Sequence, residues 1–321
     1  MPKKNCDTYT LPLDSKLLFL PDNPQRKQEG GLRKKGHFKC GRLNLPLVSI
    51  ITVVFNGERH LESTIKSAIG QSYNNVEYII IDGGSSDRTL DIIKNYDNYI
   101  DYWVSEPDTG IYDAMNKGIR VSKGELIGII NSDDWYAEKA IENVVSVYRS
   151  TVGNHENLLI SGGICKFNED SQTKWHIYRD RKYVDSKIYW TMPVSHPATF
   201  VSKKLYNTVG LFNAKFKISG DYDLIFRAYH SAETKFIFID KSLAYMRDGG
   251  VSNQFKHILT RAGEHFEIKR QNMPLIFNLA ISFFWFSIEI AKFIVFKLIS
   301  KYSTANKLFL LYNQLRHGKN R

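Results

Sequence analysis

From Val48 onwards the chain alternates between short unbroken apolar runs and longer stretches in which apolar residues recur every three or four positions. VSIITVV (48–54) is continuous and β-branched, the pattern of a strand buried on both faces of a parallel sheet. Leu61, Ile65, Ala68 and Ile69 follow at helical spacing and predict a helix over 59–71. The alternation continues with a strand at VEYIII (76–81), a helix over 88–96 that Asp87 or Ser86 is placed to cap, a strand at IDYWV (100–104) and a helix over 111–120. A strand at ELIGII (125–130) and a helix over 137–149 complete this half. Beyond residue 155 the pattern is mixed, with strands at 157–166, 174–178, 197–202 and 234–247 and helices at 220–231 and 253–271.

Strands alternating with helices at this spacing predict an α/β fold, a Rossmann-like open mixed sheet flanked by helices. Residues 1–45 lack sustained periodicity and carry Pro21, Pro24, Gly30, Gly31 and the run Arg33, Lys34, Lys35, so they read as a basic extension with one short apolar segment, Leu17 to Leu20. The expected division is therefore an extension over 1–45, an α/β domain over 46–250 and a helical, basic region over 251–321.

The charge refines this. The net charge is +11, but residues 1–42 hold ten Lys/Arg against four acids, and 290–321 hold seven Lys/Arg and no acid, leaving the middle slightly acidic. A nucleic-acid reader would carry its positive stripe on the folded domain, so no nucleic-acid partner is expected; basic ends suit an anionic membrane face. Three cysteines without a C-x-x-C or Cys/His cluster supply neither a disulfide framework nor a zinc site. The start, MPKKNCDTYT, meets Asp7 and Asp14 before any apolar run, so no secretory leader and a cytoplasmic location are expected.

In open α/β sheets ligands bind beyond the carboxyl ends of the strands. Here those ends read Phe55-Asn56-Gly57, Asp82-Gly83-Gly84-Ser85-Ser86-Asp87, Ser105-Glu106-Pro107-Asp108-Thr109-Gly110 and Asn131-Ser132-Asp133-Asp134-Trp135. Aspartates in such places often cap helices or form Asx turns, yet three of four ends carry them. Asp133 and Asp134 adjoin without a basic neighbour, a repulsion that a hard cation, Mg²⁺ or Mn²⁺, would offset. FNGE follows the first strand in place of G-x-G-x-x-G, and no G-x-x-x-x-G-K-[ST] loop exists, which excludes the glycine cradles.

The segments VSIITVVFN, IIIDGGSSDRT, SEPDTGIYDAMNKGI, GELIGIINSDDW, SHPATFVSK and GDYDLIFRA, in this order over roughly residues 46 to 250, resemble the family-2 inverting glycosyltransferases of GT-A fold, nearest to bacterial enzymes of O-antigen, capsule and colanic-acid assembly. The resemblance implies that Phe55, in place of the usual Tyr, packs on a nucleotide base. Asp82 matches the first acid of the D-D-G-S loop and should face base or ribose, with Gly83 replacing the second. Asp108 and Asn116 fall in a donor-side loop and helix. Asn131-Ser132-Asp133 occupies the D-x-D position, making Asp133 the first metal ligand and Asp134 the second choice. Asp221 matches the acid of the E-D motif that acts as general base, with Gly220 in place of the Glu; the alternative is a helix N-terminal residue favoured by the macrodipole, a role Asp223 shares. His196 is placed for the acceptor or a phosphate, or is a structural histidine before a strand. Arg247 stands where some relatives carry a metal-binding His and suits the leaving diphosphate.

The implied reaction is transfer from a nucleotide-diphosphate sugar, a UDP-sugar first among them, to a hydroxyl of a polyprenyl-diphosphate-linked or other glycan. Two other readings remain: a nucleotidyltransferase, which lacks its phosphate loop here, and a catalytically inactive nucleotide-sugar-binding protein, favoured by the missing first Asp and missing Glu. At the other end, residues 275–300 are apolar at nineteen of twenty-six positions, but the uninterrupted core ends at Glu289, short of the roughly 20 residues a span wants. On a helical wheel Asn278, Ser282, Glu289 and Lys292 share one narrow sector, as in a helix lying in a membrane interface. The alternatives are packing on the catalytic domain, packing on a second copy of the chain as a homo-oligomer, and a true span.

Overall fold

The computed structural model describes residues 17–42, 45–151, 157–168, 172–247 and 257–299; the side chains of 289 and 292–299 are outside that description. In chain order the elements are β1 (Gln28–Gly30), β2 (Val48–Val54), α1 (Leu61–Ile69), β3 (Val76–Asp82), α2 (Thr89–Asn95), β4 (Tyr102–Ser105) and α3 (Ile111–Val121). Then follow β5 (Leu126–Asn131), β6 (Trp135–Tyr136), α4 (Ala140–Thr151), β7 (Leu158–Asn168), β8 (Thr173–Ile177), α5 (Arg181–Lys187) and a 3-10 turn at His196–Ala198. The last are β9 (Thr199–Ser202), α6 (Lys203–Val209), α7 (Gly220–His230), β10 (Lys235–Arg247), α8 (Ile258–Arg270) and α9 (Leu275–Ile299).

One mixed sheet runs in the order β1-β4-β3-β2-β5-β9-β7-β10-β6, with β8 added on β7. β4, β3, β2 and β5 are parallel neighbours, and β9 is antiparallel to both β5 and β7. All seven residues of β2 are buried because the sheet is covered on both sides. Ile51 and Val53 face one apolar core and Ile50 and Val54 the other, as a period of two requires. The strand order reverses between β2 and β5, which makes their carboxyl ends the topological switch point. Register aligns those ends: Val54 pairs with Asp82, Asp82 with Ser105, and Val53 with Asn131.

The segment expected to be an extension is built into the domain from Leu17 on. β1 pairs antiparallel with β4, and Leu20 N donates to Tyr102 Oη at 3.3 Å. Arg33 is buried, ion-paired with Glu77 of β3, and donates to Val121 O at 2.8 Å. Four strands and helices escaped the sequence pattern, β1, β6, α5 and α6; each is seven residues or shorter, below the length at which periodicity is readable.

Candidate active site

The donor side is built on three strand ends. After β2, Phe55 is 65% exposed at the mouth, an uncommon setting for a phenyl ring. Asn56 takes a left-handed φ of 51°, its N–H donating to Ser85 Oγ at 2.7 Å, so the β2 and β3 loops are tied together. Beside Phe55 lies Gly83: a Cβ there would come within 3.4 Å of Phe55 Cδ2 and would run into Asp108 Oδ2. Phe55 and Asp108 thus flank one point. Burial pushes the Asp108 carboxyl up, while the Gly110 N–H, 2.9 Å from Oδ1, favours the charged form.

Two residues expected on the donor side are tied into their surroundings. Asp82 is fully buried and its oxygens accept hydrogen bonds within the chain, Oδ2 from Ser105 Oγ at 2.5 Å and Ser85 N at 3.1 Å, and Oδ1 from the Ser85 hydroxyl, so it shapes the loop. Asn116 is buried too, exchanging two 2.9 Å bonds with the backbone of Phe212, and so staples α3 to the 212 loop.

The turn after β5 is pinned by Thr64 of α1, whose hydroxyl donates to Ser132 O at 2.9 Å and Asp134 O at 2.7 Å. Asp134 is buried and receives the Arg247 N–H at 3.2 Å. Its burial, then the charge of Asp133, raise its pKa to about 8, so it is neutral at pH 7 without a cation. Asp133 is only partly buried, and Asn131 Oδ1 is buried without a hydrogen-bond partner. Arg247, at the end of β10, lies 4.7 Å over the Trp135 ring, next to the same turn. An orphaned amide oxygen beside two carboxyls is an oxygen donor set of the kind hard cations take. Among the described residues no group of three His, Cys, Asp or Glu is arranged for a metal, so a cation here would draw further ligands from diphosphate oxygens and water.

Asp221 stands at the first turn of α7. Its Oδ1 receives Tyr222 N at 2.8 Å and lies 3.3 Å from Tyr112 Oη. Burial pushes this carboxyl above its ordinary range, with His196, Tyr222 N and Tyr112 pulling it back. Burial also pushes His196 down, against the pull of the Asp221 carboxylate. Asp221, His196 and Ile129 of β5 line one cavity of ≈ 10 Å³, room for about one water and far too small for a sugar ring. The neighbouring acid, Asp223, is occupied by a 2.8 Å ion pair with Arg227. Sequence reading missed Tyr112, although it lies inside a quoted motif, and Glu264 of α8, which has no local signal. Glu264 accepts the N–H groups of Lys217, Ile218 and Ser219 at 2.7, 3.2 and 2.8 Å and so fixes the approach to Asp221.

Residues 49–210 match the model of glycosyl transferase family 2, half of the chain. The chain belongs to that family. An uncharacterized glycosyltransferase of Rickettsia typhi is 30% identical to this family-2 chain over 188 residues, 57% of this chain and 58% of that protein. One of Mycobacterium tuberculosis is 32% identical over 186 residues, 57% and 69% of the two chains. The chain spans 58% and 61% of the first two rickettsial relatives' lengths. Among solved structures, S. aureus TarS 1-349 in complex with UDP-GlcNAc superposes with a TM-score of 0.54 at 16% identity, covering 74% of this chain and 70% of that one. Mannosyltransferase PcManGT from Pyrobaculum calidifontis, in complex with GDP-Man and Mn²⁺, gives 0.52 at 14%, covering 84% and 80%. These likenesses show the fold, and the GT-A architecture expected from the sequence is the one found.

Proposed function

We propose that this family-2 protein is an inverting transferase that moves a sugar from a nucleotide-diphosphate sugar, a UDP-sugar first among candidates, to a hydroxyl of a lipid-linked glycan of the bacterial surface. The observation that carries the reading is Asp221: the hydrogen bonds to its side chain fall on Oδ1, which leaves Oδ2 for an acceptor hydroxyl, and burial raises its proton affinity toward the working pH. Phe55 offers its ring to the nucleobase and Asp108 accepts from base or ribose hydroxyls, while Arg247 balances diphosphate charge. Asp133, with Asn131 Oδ1 beside it and Asp134 behind, would hold Mg²⁺ or Mn²⁺, which supplies Lewis-acid assistance to the leaving diphosphate when bound. Asp221 takes the acceptor proton as that oxygen attacks from the face opposite the leaving group, so configuration inverts. His196 is positioned beside the base on the acceptor side.

The exposed apolar face of α9 supports a peripheral seat on the cytoplasmic face of the cell membrane, where a polyprenyl-linked acceptor lies. Among the described residues no helix is long and apolar enough to cross a membrane. Asp221→Asn should lower transfer by on the order of 10² to 10⁴ while leaving nucleotide-sugar binding intact. Sugar transfer scored with UDP-, GDP- and dTDP-sugars plus Mn²⁺ checks this, and transfer by that variant at the wild-type rate would refute the assignment.

A further inference from the structure

Gly83 and Gly220 stand where the resemblance read from the sequence implies acids, and neither sits in the left-handed region that would demand glycine. Space excludes a side chain at each. A Cβ on Gly220 would lie 2.8 Å from three ring carbons of Tyr112, and one on Gly83 would run into Asp108. Both obstructing residues come from one stretch, 108–112, at the entry to α3. The Tyr112 phenol oxygen lies 2.6 Å from Ile218 O and 3.3 Å from Asp221 Oδ1, so its single proton is shared between the loop and the carboxylate.

We propose that Tyr112 is the positioning residue of the base, standing in the space of the absent acid at 220 and orienting Asp221 through its hydroxyl. The inference rests on Asp221 being the base. The phenol ties the carboxylate to the 217–219 loop, which Glu264 grips from the other side. The charged and titratable groups facing Asp221 are therefore His196 before β9, Tyr112 on α3 and, through that loop, Glu264 on α8.

Tyr112→Phe keeps the ring and removes the hydroxyl, and with it the hydrogen bonds to Ile218 O and Asp221. In the full chain, with UDP-, GDP- and dTDP-sugars and Mn²⁺ as probes and nucleoside diphosphate release as readout, it should lower kcat roughly ten-fold with donor KM unchanged. Loss of a donor to the carboxylate should also move the acid limb of the kcat profile to higher pH. Gly220→Glu should be inactive through collision with the ring, and Gly220→Glu with Tyr112→Ala should recover activity. Wild-type kcat with an unmoved acid limb in Tyr112→Phe overturns the proposal, as does a loss confined to donor KM. If Tyr112→Phe melts early, the double variant decides: no recovery over Gly220→Glu overturns it. Activity retained in Asp221→Asn instead refutes the base itself, so the two failures are distinct.

Discussion

Glu77 is the second residue of β3, a strand otherwise made of Val, Tyr and Ile up to its terminal Asp82, and it is 1% exposed. It is tolerable there because Arg33 pairs with it and Ser49 Oγ, Lys123 N and Gly124 N donate to it. Removing one partner of such a pair leaves a buried charge uncompensated. Arg33→Ala should therefore cost about 3–5 kcal/mol of folding stability in a urea titration, far more than the loss of a surface lysine such as Lys34. Nothing local in R-K-K separates the buried arginine from the two exposed lysines beside it; only the tertiary partner does. The same limit governed the site. The motifs marked the positions of Phe55, Asp82, Asn116 and Asp221, but a motif does not say which side chains are already bonded within their own loops, as those of Asp82 and Asn116 are.

Element by element, the long unbroken strands and the helices of clear period were legible from pattern, as β2, β3 and β10 show. What pattern did not give is which way α9 faces. The described part of its polar sector points inward: Asn278 is fully buried and donates to Phe266 O at 2.9 Å, and Ser282 lies 3.2 Å from Lys269 Nζ of α8, while the side chains of Glu289 and Lys292 lie outside the described residues. Between these helices His265 is buried against Tyr222 and Trp285, its Nδ1 without a hydrogen-bond partner. Burial, with Lys269 and Arg261 nearby, pushes it down to about 3 from 6.5. The folded chain therefore refuses a proton that the unfolded chain accepts. Its contribution is intact above pH 6.5 and is lost progressively as pH falls toward 3. Between pH 7.5 and 5 the loss is on the order of 2 kcal/mol, and His265→Phe should make the acid slope of stability shallower by that amount. Urea midpoints at the two pH values check this; an unchanged slope would place His265 in contact with water.

For the whole molecule, turning Asn278 and Ser282 inward leaves an apolar outer surface on the described part of α9. Ile276, Phe277 and Phe283 are 79%, 63% and 76% exposed on α9, with a basic chain beyond. A surface of this kind marks contact with lipid or another protein. Because the lysines follow with no acid, vesicles containing phosphatidylglycerol should bind the chain more tightly than phosphatidylcholine alone. Phe277→Ser with Phe283→Ser should weaken that binding at least about a hundred-fold, each phenyl contributing roughly 1.5–3 kcal/mol. Co-sedimentation measures it, and equal partitioning of variant and parent would show that this face has another occupant. The charge distribution in the sequence raised the expectation of an anionic surface, whereas the orientation of α9 needed the packing of α8.

The clasp between Arg33 and its partners also sets an order in time. Its guanidinium meets Glu77, 44 positions later, and Val121, 88 positions later. With ribosomes adding roughly 5–20 residues per second, the first-made edge of the sheet waits about 4 to 18 s for the groups that lock it. The stretch carrying Arg33 is thus secured only after the strands it clasps have been made, and until β1 closes over it a nascent β4 edge stands open to a chaperone or to a neighbour on the same message.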